Sequence, residues 1–271
     1  MARLFGWLTD FNEKISRFRN DKNKCFTIFY MKLKSLLFAI ILSSFGLAQT
    51  QEPFSYTVEY YGALKNMMHK GDLSANANLA DFANRKHLYA IGALENLKGE
   101  IQIWDSHPLN SSVADSTLVL DETYNKNAAL LVCASVAEWT SFNIPDSVKT
   151  YTQAEEFIAF SAQNHGLNVT RPFPFLIEGI TDSVNWHVIN WKDGDTEHSH
   201  EKHKNSGLNG IVEDSFVYML GFYSNAHHAI FTHHTTNMHL HVITKNKSIA
   251  GHVDNLVLGK NMILKLPKIE E

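Results

Sequence analysis

Apolar residues along this chain alternate with polar ones more often than they recur at helical spacing, so strands dominate the prediction. The clearest alternation runs from Met238 to Ile243. It leads through the polar stretch Lys245 to Ser248 into a second strand reaching about Leu258. This is a β-hairpin pattern. His239 and His241 are two apart, so on a strand both rings project from one face. With the turn centred between Asn246 and Lys247, His241 faces His252 across the pair, with Cβ atoms roughly 4.5–5.5 Å apart. Asn-Lys is a weaker turn signal than Asn-Gly, and a three-residue loop would shift that register.

The remaining elements follow from the same pattern. Phe54–Tyr61 alternates as a strand, and Gly62–Met68 follows as a short helix. Asn76–Arg85 is expected to form a second helix, with Leu79 and Phe82 at i,i+3 spacing. His87–Leu94 and Glu100–Trp104, joined through Gly99, form the clearest hairpin of the N-terminal half. Ser106–Asn127 is loop-rich, and Ala128–Trp139 is apolar enough for a buried strand. Pro145–Gln163 is the best helical stretch, capped by Asp146 or Thr150, with Ala154, Phe157, Ile158 and Phe160 as its apolar face. Phe175–Gly179 and Ser183–Trp191 are expected to pair, Phe216–Tyr223 and Ala229–Thr232 are further strands, and Lys192–Gly210 is a polar loop. Many short strands with a few helices predict an α+β fold of mixed or antiparallel sheets.

Composition adds an address. From Met31 the chain reads Met-Lys-Leu-Lys, then an apolar run from Ser35 to Leu47, with small residues Gly46 and Ala48 before Gln49. That is a secretory signal peptide, too short for a membrane span. The expected organisation is an N-terminal extension over 1–30, a signal peptide over 31–48 and one α+β domain over 49–271. Residues 1–30 precede a plausible start at Met31; a cytoplasmic tail or an anchor is the other reading. Export would end in the periplasm or outside the cell, with no stable membrane insertion after processing. Of the 24 basic and 28 acidic residues, 8 and 3 lie in 1–48, leaving 16 and 25, a net charge of −9. An acidic domain without a basic stripe is a poor nucleic-acid binder. Cys25 falls in the excluded segment and leaves Cys133 alone, a core residue with no disulfide framework around it.

Eleven of the 15 histidines fall between His187 and His252. Three imidazoles converging from the hairpin would hold a cation and leave an exchangeable fourth position, the arrangement of a Lewis-acid centre. Imidazoles accept zinc, copper, nickel and iron alike. The competing reading is three histidines on a polar sheet face.

Three segments resemble the α-acetolactate decarboxylases: Ala90 to Ile101 with its Gly-Glu-Ile ending, Phe175-Leu176-Ile177-Glu178-Gly179, and His239-Leu240-His241 continuing to Gly251-His252-Val253. The resemblance implies that His239, His241 and His252 hold Zn2+, that Glu100 stands beside the ion as proton donor, and that the reaction is decarboxylation of 2-acetolactate to acetoin. It further implies a small keto/hydroxy acid as the partner, and a homodimer. Without the resemblance Glu100 reads as an exposed turn residue. The sequence departs from the family at the strand after Gly179. The expected arginine, which engages the substrate's charge, is His187 here, and a histidine lacks the bidentate fork that matches a carboxylate. Glu59-Tyr60-Tyr61 also replaces a Ser-Thr-Met, and Glu270 or Glu271 stands where a C-terminal glutamate reaches the metal. A non-catalytic metal-binding protein or a zinc hydrolase on the same scaffold are the alternatives. The tract His198–His203 is expected to be a solvated loop. Among His227, His228, His233 and His234, some are expected in the cavity wall, with His233 or His234 assisting proton transfer.

Overall fold

The computed structural model describes residues 56–269; the N-terminal extension, the signal peptide, Glu270 and Glu271 lie outside them. The described strands are β1 (Glu59–Tyr61), β2 (Ala77–Asn78), β3 (Leu88–Leu94), β4 (Glu100–Trp104), β5 (His107–Pro108), β6 (Asn110–Ala114), β7 (Thr117–Asp121), β8 (Asn127–Ser135), β9 (Trp139–Asn143), β10 (Phe173–Val188), β11 (Leu208–Tyr223), β12 (Met238–Thr244), β13 (Ala250–Val257) and β14 (Ile263–Pro267). They form two sheets. One runs β1-β8-β3-β4-β6-β7, with β2 beside β8 and β5 beside β4; the other runs β11-β12-β13-β10-β14-β9. Every pairing between these strands is antiparallel. The α+β expectation holds, in its antiparallel form.

Alternation decides which residues meet between the sheets. Ile91, Leu130 and Val132 of the first sheet pack with Leu176, Leu220 and Phe222 of the second. On the far side of the first sheet, Ala90, Ile101, Ile103 and Cys133 are covered by Leu79 and Phe82. On the far side of the second, Phe175, Ile177, Met219, Leu240 and Val253 are covered by Ala154 and Ile158 of the helix Tyr151–Asn164. Burying these odd and even sets in their own layers leaves their strand neighbours no choice of face. Ile101 and Ile103 turn outward, so Glu100 and Gln102 point between the sheets. Leu240 and Val242 turn toward the helix, so His239 and His241 point the other way.

Several local expectations fail for identifiable reasons. Asn76–Arg85 forms only the 3₁₀ turn Leu79–Phe82, because β2 pairs with β8 and the Asn78 side chain caps Ala80 N. Ser106–Asn127 is not loop: it holds the hairpin β6–β7, turned at Asp115 and Ser116, both at positive φ. Phe175–Gly179 and Ser183–Val188 are not partners but parts of one strand, β10, which stays extended because β11 pairs with it on both sides of Asp182; Ile189–Trp191 lie beyond its end. Ala229–Thr232 is a turn rather than a strand. Among the described residues the first strand begins at Glu59, Phe54 and Ser55 lying outside them, and the buried run after Asn127 ends at Ser135, Trp139 opening β9. Thr150 caps the long helix in a reciprocal capping box with Gln153, which settles the choice against Asp146. Phe160 is 64% exposed and is no part of that helix's packed face.

Candidate metal centre

The hairpin forms in the register expected of it: His241 pairs with His252, Val242 with Gly251 and Ile243 with Ala250. Its loop between the strand ends is five residues, Lys245–Ile249, with Lys247 at positive φ and its N–H donated to Thr244 O. The next strand over, β10, pairs His187 with His252. His241, His252 and His187 therefore form a row across three adjacent strands, and His239 lies two residues along from His241. Directly paired residues share a face. Ring centroids are 5.0 Å apart for His239–His241, 5.0 Å for His239–His252, 5.4 Å for His241–His252 and 4.8 Å for His187–His252.

Glu100 reaches this row from the opposite sheet. Gly99 makes its approach possible: a Cβ there would lie 2.0 Å from Ser111 O. The Glu100 carboxylate is buried and accepts a hydrogen bond from Ile189 N at 3.1 Å. One oxygen lies 3.9 Å from His187 Nε2 and the other 3.9 Å from His241 Nε2. Burial raises its pKa from 4.5 to about 7, against the lowering effect of His187 and the Ile189 N–H. The exposed-turn reading of Glu100 is thus overturned. Its place on β4 explains why: at the first strand position it alternates with the outward Ile101.

His187 does not stand free. Its Nδ1 is 2.9 Å from Asp254 Oδ1. Burial opposes its charge, but the Asp254 hydrogen bond and the charges of Glu100 and Asp254 outweigh that and raise its pKa. Asp254 is a residue that sequence reasoning missed, although it sits two positions beyond His252 and so on the same strand face. Gln102, two beyond Glu100, was missed likewise; it is buried, and neither polar atom of its side chain has a protein partner.

The arrangement suits a divalent cation. His239 Nε2 and His241 Nε2 lie 3.2 Å apart inside the protein. A tetrahedral ion with bonds of about 2.0–2.1 Å would hold two nitrogens about 3.3 Å apart. Nδ1 of His241 and of His252, and Asp254 Oδ2, are buried without a hydrogen-bond partner. Separately, His187, His252 and Asp254 offer donor atoms that all lie within 4.8 Å of one another. Burial keeps the hairpin rings neutral, as ligands must be: His239 is lowered to about 4, His241 and His252 well below 6.5.

These shifts carry a pH prediction for the metal-free protein. An imidazole with a depressed folded pKa stabilises fully above the unfolded value of 6.5, and that contribution is lost as pH falls toward the folded value, about 4 for His239. Glu100 acts oppositely, its contribution present below 4.5 and lost as pH rises through about 7. His187, with its raised pKa, sides with Glu100, whereas His203 and His233, both lowered to about 4 by burial, join the three hairpin rings, so five groups outweigh two. With a chelator present, the melting temperature is expected to fall steadily from pH 7 to pH 5; a rise over that range would contradict the burial of neutral rings.

Other histidines of this stretch make contacts of their own. In the tract His198–His203, His200 and Glu201 are exposed, while the half-buried His198 and His203 are hydrogen-bonded at 2.9 Å and both pack on Trp191. His227 stacks on Phe231, and His228 bonds Asn237. His233 packs between His200 and the exposed His234.

Neither a scan of protein-family models nor a search of curated proteins gives a match. Solved structures do. A protein of unknown function described as similar to alpha-acetolactate decarboxylase from Staphylococcus aureus superposes with a TM-score of 0.60 at 12% identity, covering 79% of this chain and 86% of that one. Alpha-acetolactate decarboxylase from Bacillus subtilis strain 168 gives 0.59 at 15%, covering 78% and 86%. The fold is that of acetolactate decarboxylase. At such identities the likeness extends to the arrangement of strands, and the chemistry has to be argued from this chain's own residues.

Proposed function

We propose that this protein is a metal-dependent carboxy-lyase that converts a 2-hydroxy-3-oxo acid, acetolactate in the first instance, into the hydroxyketone acetoin and carbon dioxide. The observation that carries the reading is Glu100: a carboxyl buried between the sheets, one oxygen 3.9 Å from His187 Nε2 and the other 3.9 Å from His241 Nε2 of the facing sheet. His239, His241 and His252 would hold the cation. When bound, Zn2+ or another divalent transition metal supplies a Lewis acid for the substrate's ketone and hydroxyl oxygens. As the bond to the carboxylate carbon breaks, its electron pair passes into the adjacent ketone. Glu100, protonated, then returns a proton to the carbon that lost carbon dioxide, which closes the balance as acetoin. His187 presents Nε2 toward the site while Asp254 secures Nδ1, in the place where the resemblance implies an arginine.

The test is acetoin formation from racemic acetolactate by the zinc-loaded protein. Turnover is expected, and both chelation and His241→Ala are expected to abolish it. Tightly held metal without turnover would instead support a metal-binding protein on this scaffold. The His187–Asp254 contact favours that second reading, because the Asp254 carboxylate beside the ring offsets the positive charge with which His187 would engage a substrate carboxylate. His187→Arg separates the two, since a rate increase requires a pocket built for the substrate's carboxylate. Export by the N-terminal leader and a homodimeric assembly belong to the same proposal.

A further inference from the structure

The three hairpin histidines leave two adjoining groups unexplained. Asp254 is buried among imidazoles, with Oδ1 on His187 Nδ1 at 2.9 Å and 3.9 Å from His252 Nδ1. Its other oxygen, Oδ2, and His252 Nδ1 are both buried without a hydrogen-bond partner. The nearest cation to Oδ2 is Lys204 Nζ, at 4.0 Å, beyond hydrogen-bond reach. A buried carboxylate oxygen and a buried ring nitrogen, both left unsatisfied, cost stability unless something partners them.

We propose that His187, His252 and Asp254 form a second cation seat, beside the three-imidazole seat and sharing His252 with it. The donor atoms of the three lie within 4.8 Å of one another. His252 can serve both: with Nδ1 turned to Asp254, Nε2 is the nitrogen left for His239 and His241. The two seats differ in chemistry. Three neutral imidazoles suit Zn2+, whereas two imidazoles and a carboxylate with open positions suit Fe2+ or Mn2+. A neutral imidazole has one ring nitrogen free to ligate, the other carrying the proton, so His252 serves one seat at a time and the ions compete. The fold encodes this duality in one strand: β13 places His252 and Asp254 on the same face, one toward each seat.

The inference rests on the metal centre proposed above and not on decarboxylation, so its test reads metal alone. Mn2+ binding to the full chain is followed by electron paramagnetic resonance, and Zn2+ binding by competition with a chelator. Asp254→Asn is expected to weaken Mn2+ at least tenfold and Zn2+ less than threefold. His239→Gln is expected to do the reverse, and Zn2+ is expected to displace Mn2+ from the unaltered protein. Circular dichroism establishes that each variant is folded. Equal losses of both ions in both variants would mean a single seat, and Mn2+ binding untouched by Asp254→Asn would confine Asp254 to orienting His187; either overturns the proposal. Zn2+ binding untouched by His239→Gln would instead sink the three-imidazole centre, while leaving the second seat standing if Asp254→Asn still removes Mn2+.

Discussion

Replacing Glu100 with glutamine is expected to slow acetoin formation by roughly 10²- to 10⁴-fold, the range over which a positioned general acid contributes. The substitution keeps the volume, and its amide oxygen still accepts from Ile189 N, so the fold and the histidine row are preserved. What it removes is the transferable proton. The same variant has a stability signature. The wild-type carboxyl is destabilising once ionised, because its folded pKa is raised from 4.5 to about 7. Glutamine does not titrate, so the variant is expected to gain stability relative to wild type as pH rises from 6 to 8. Chemical denaturation across that range, alongside quenched acetoin assays, checks both halves. A variant that keeps more than a tenth of the rate would remove Glu100 from proton delivery.

The second large effect is on folding. Gly92→Ala is expected to cost about 3 kcal/mol or more, the upper end of what overpacking a core does when backbone has to move. A Cβ at this position would lie 1.9 Å from Leu130 O and 2.8 Å from Leu130 C, both main-chain atoms of the neighbouring β8. Neither can rotate away, as a side chain could. β3 is held between β8 and β4, so the strain falls on the hairpin that aims Glu100. Denaturant midpoints compare the two proteins directly. A shift corresponding to less than about 1 kcal/mol would mean that the strands separate there more easily than their packing implies.

The hairpin that carries His239, His241 and His252 was legible down to its register because alternation and a short polar turn leave few solutions. The β3–β4 hairpin was legible for the same reason, Gly99 and its polar neighbours marking the turn. What could not be read was anything decided by a distant partner. β10 looks like two strands because Thr181-Asp182-Ser183 resembles a turn, and only pairing with β11 on either side keeps it extended. Leu79 and Phe82 have helical spacing, but they cap the outer face of the first sheet from a single turn. At the site, residue types and spacing within one hairpin were visible, whereas the depth of Glu100 required knowing which way Ile101 faces. Asp254 went unread although its i+2 relation to His252 was in plain sight, since an acidic residue late in a strand is ordinarily solvated.

The three imidazoles of the row and His239 belong to one sheet and Glu100 to the other. Cation capture and proton delivery thus answer to different halves of the sandwich. Mutations that loosen the seam between the halves should spare the first and degrade the second, and a descendant that lost only the β3–β4 hairpin's acid would survive as a metal carrier. An enzyme divided in this way can shed its reaction without shedding its ion.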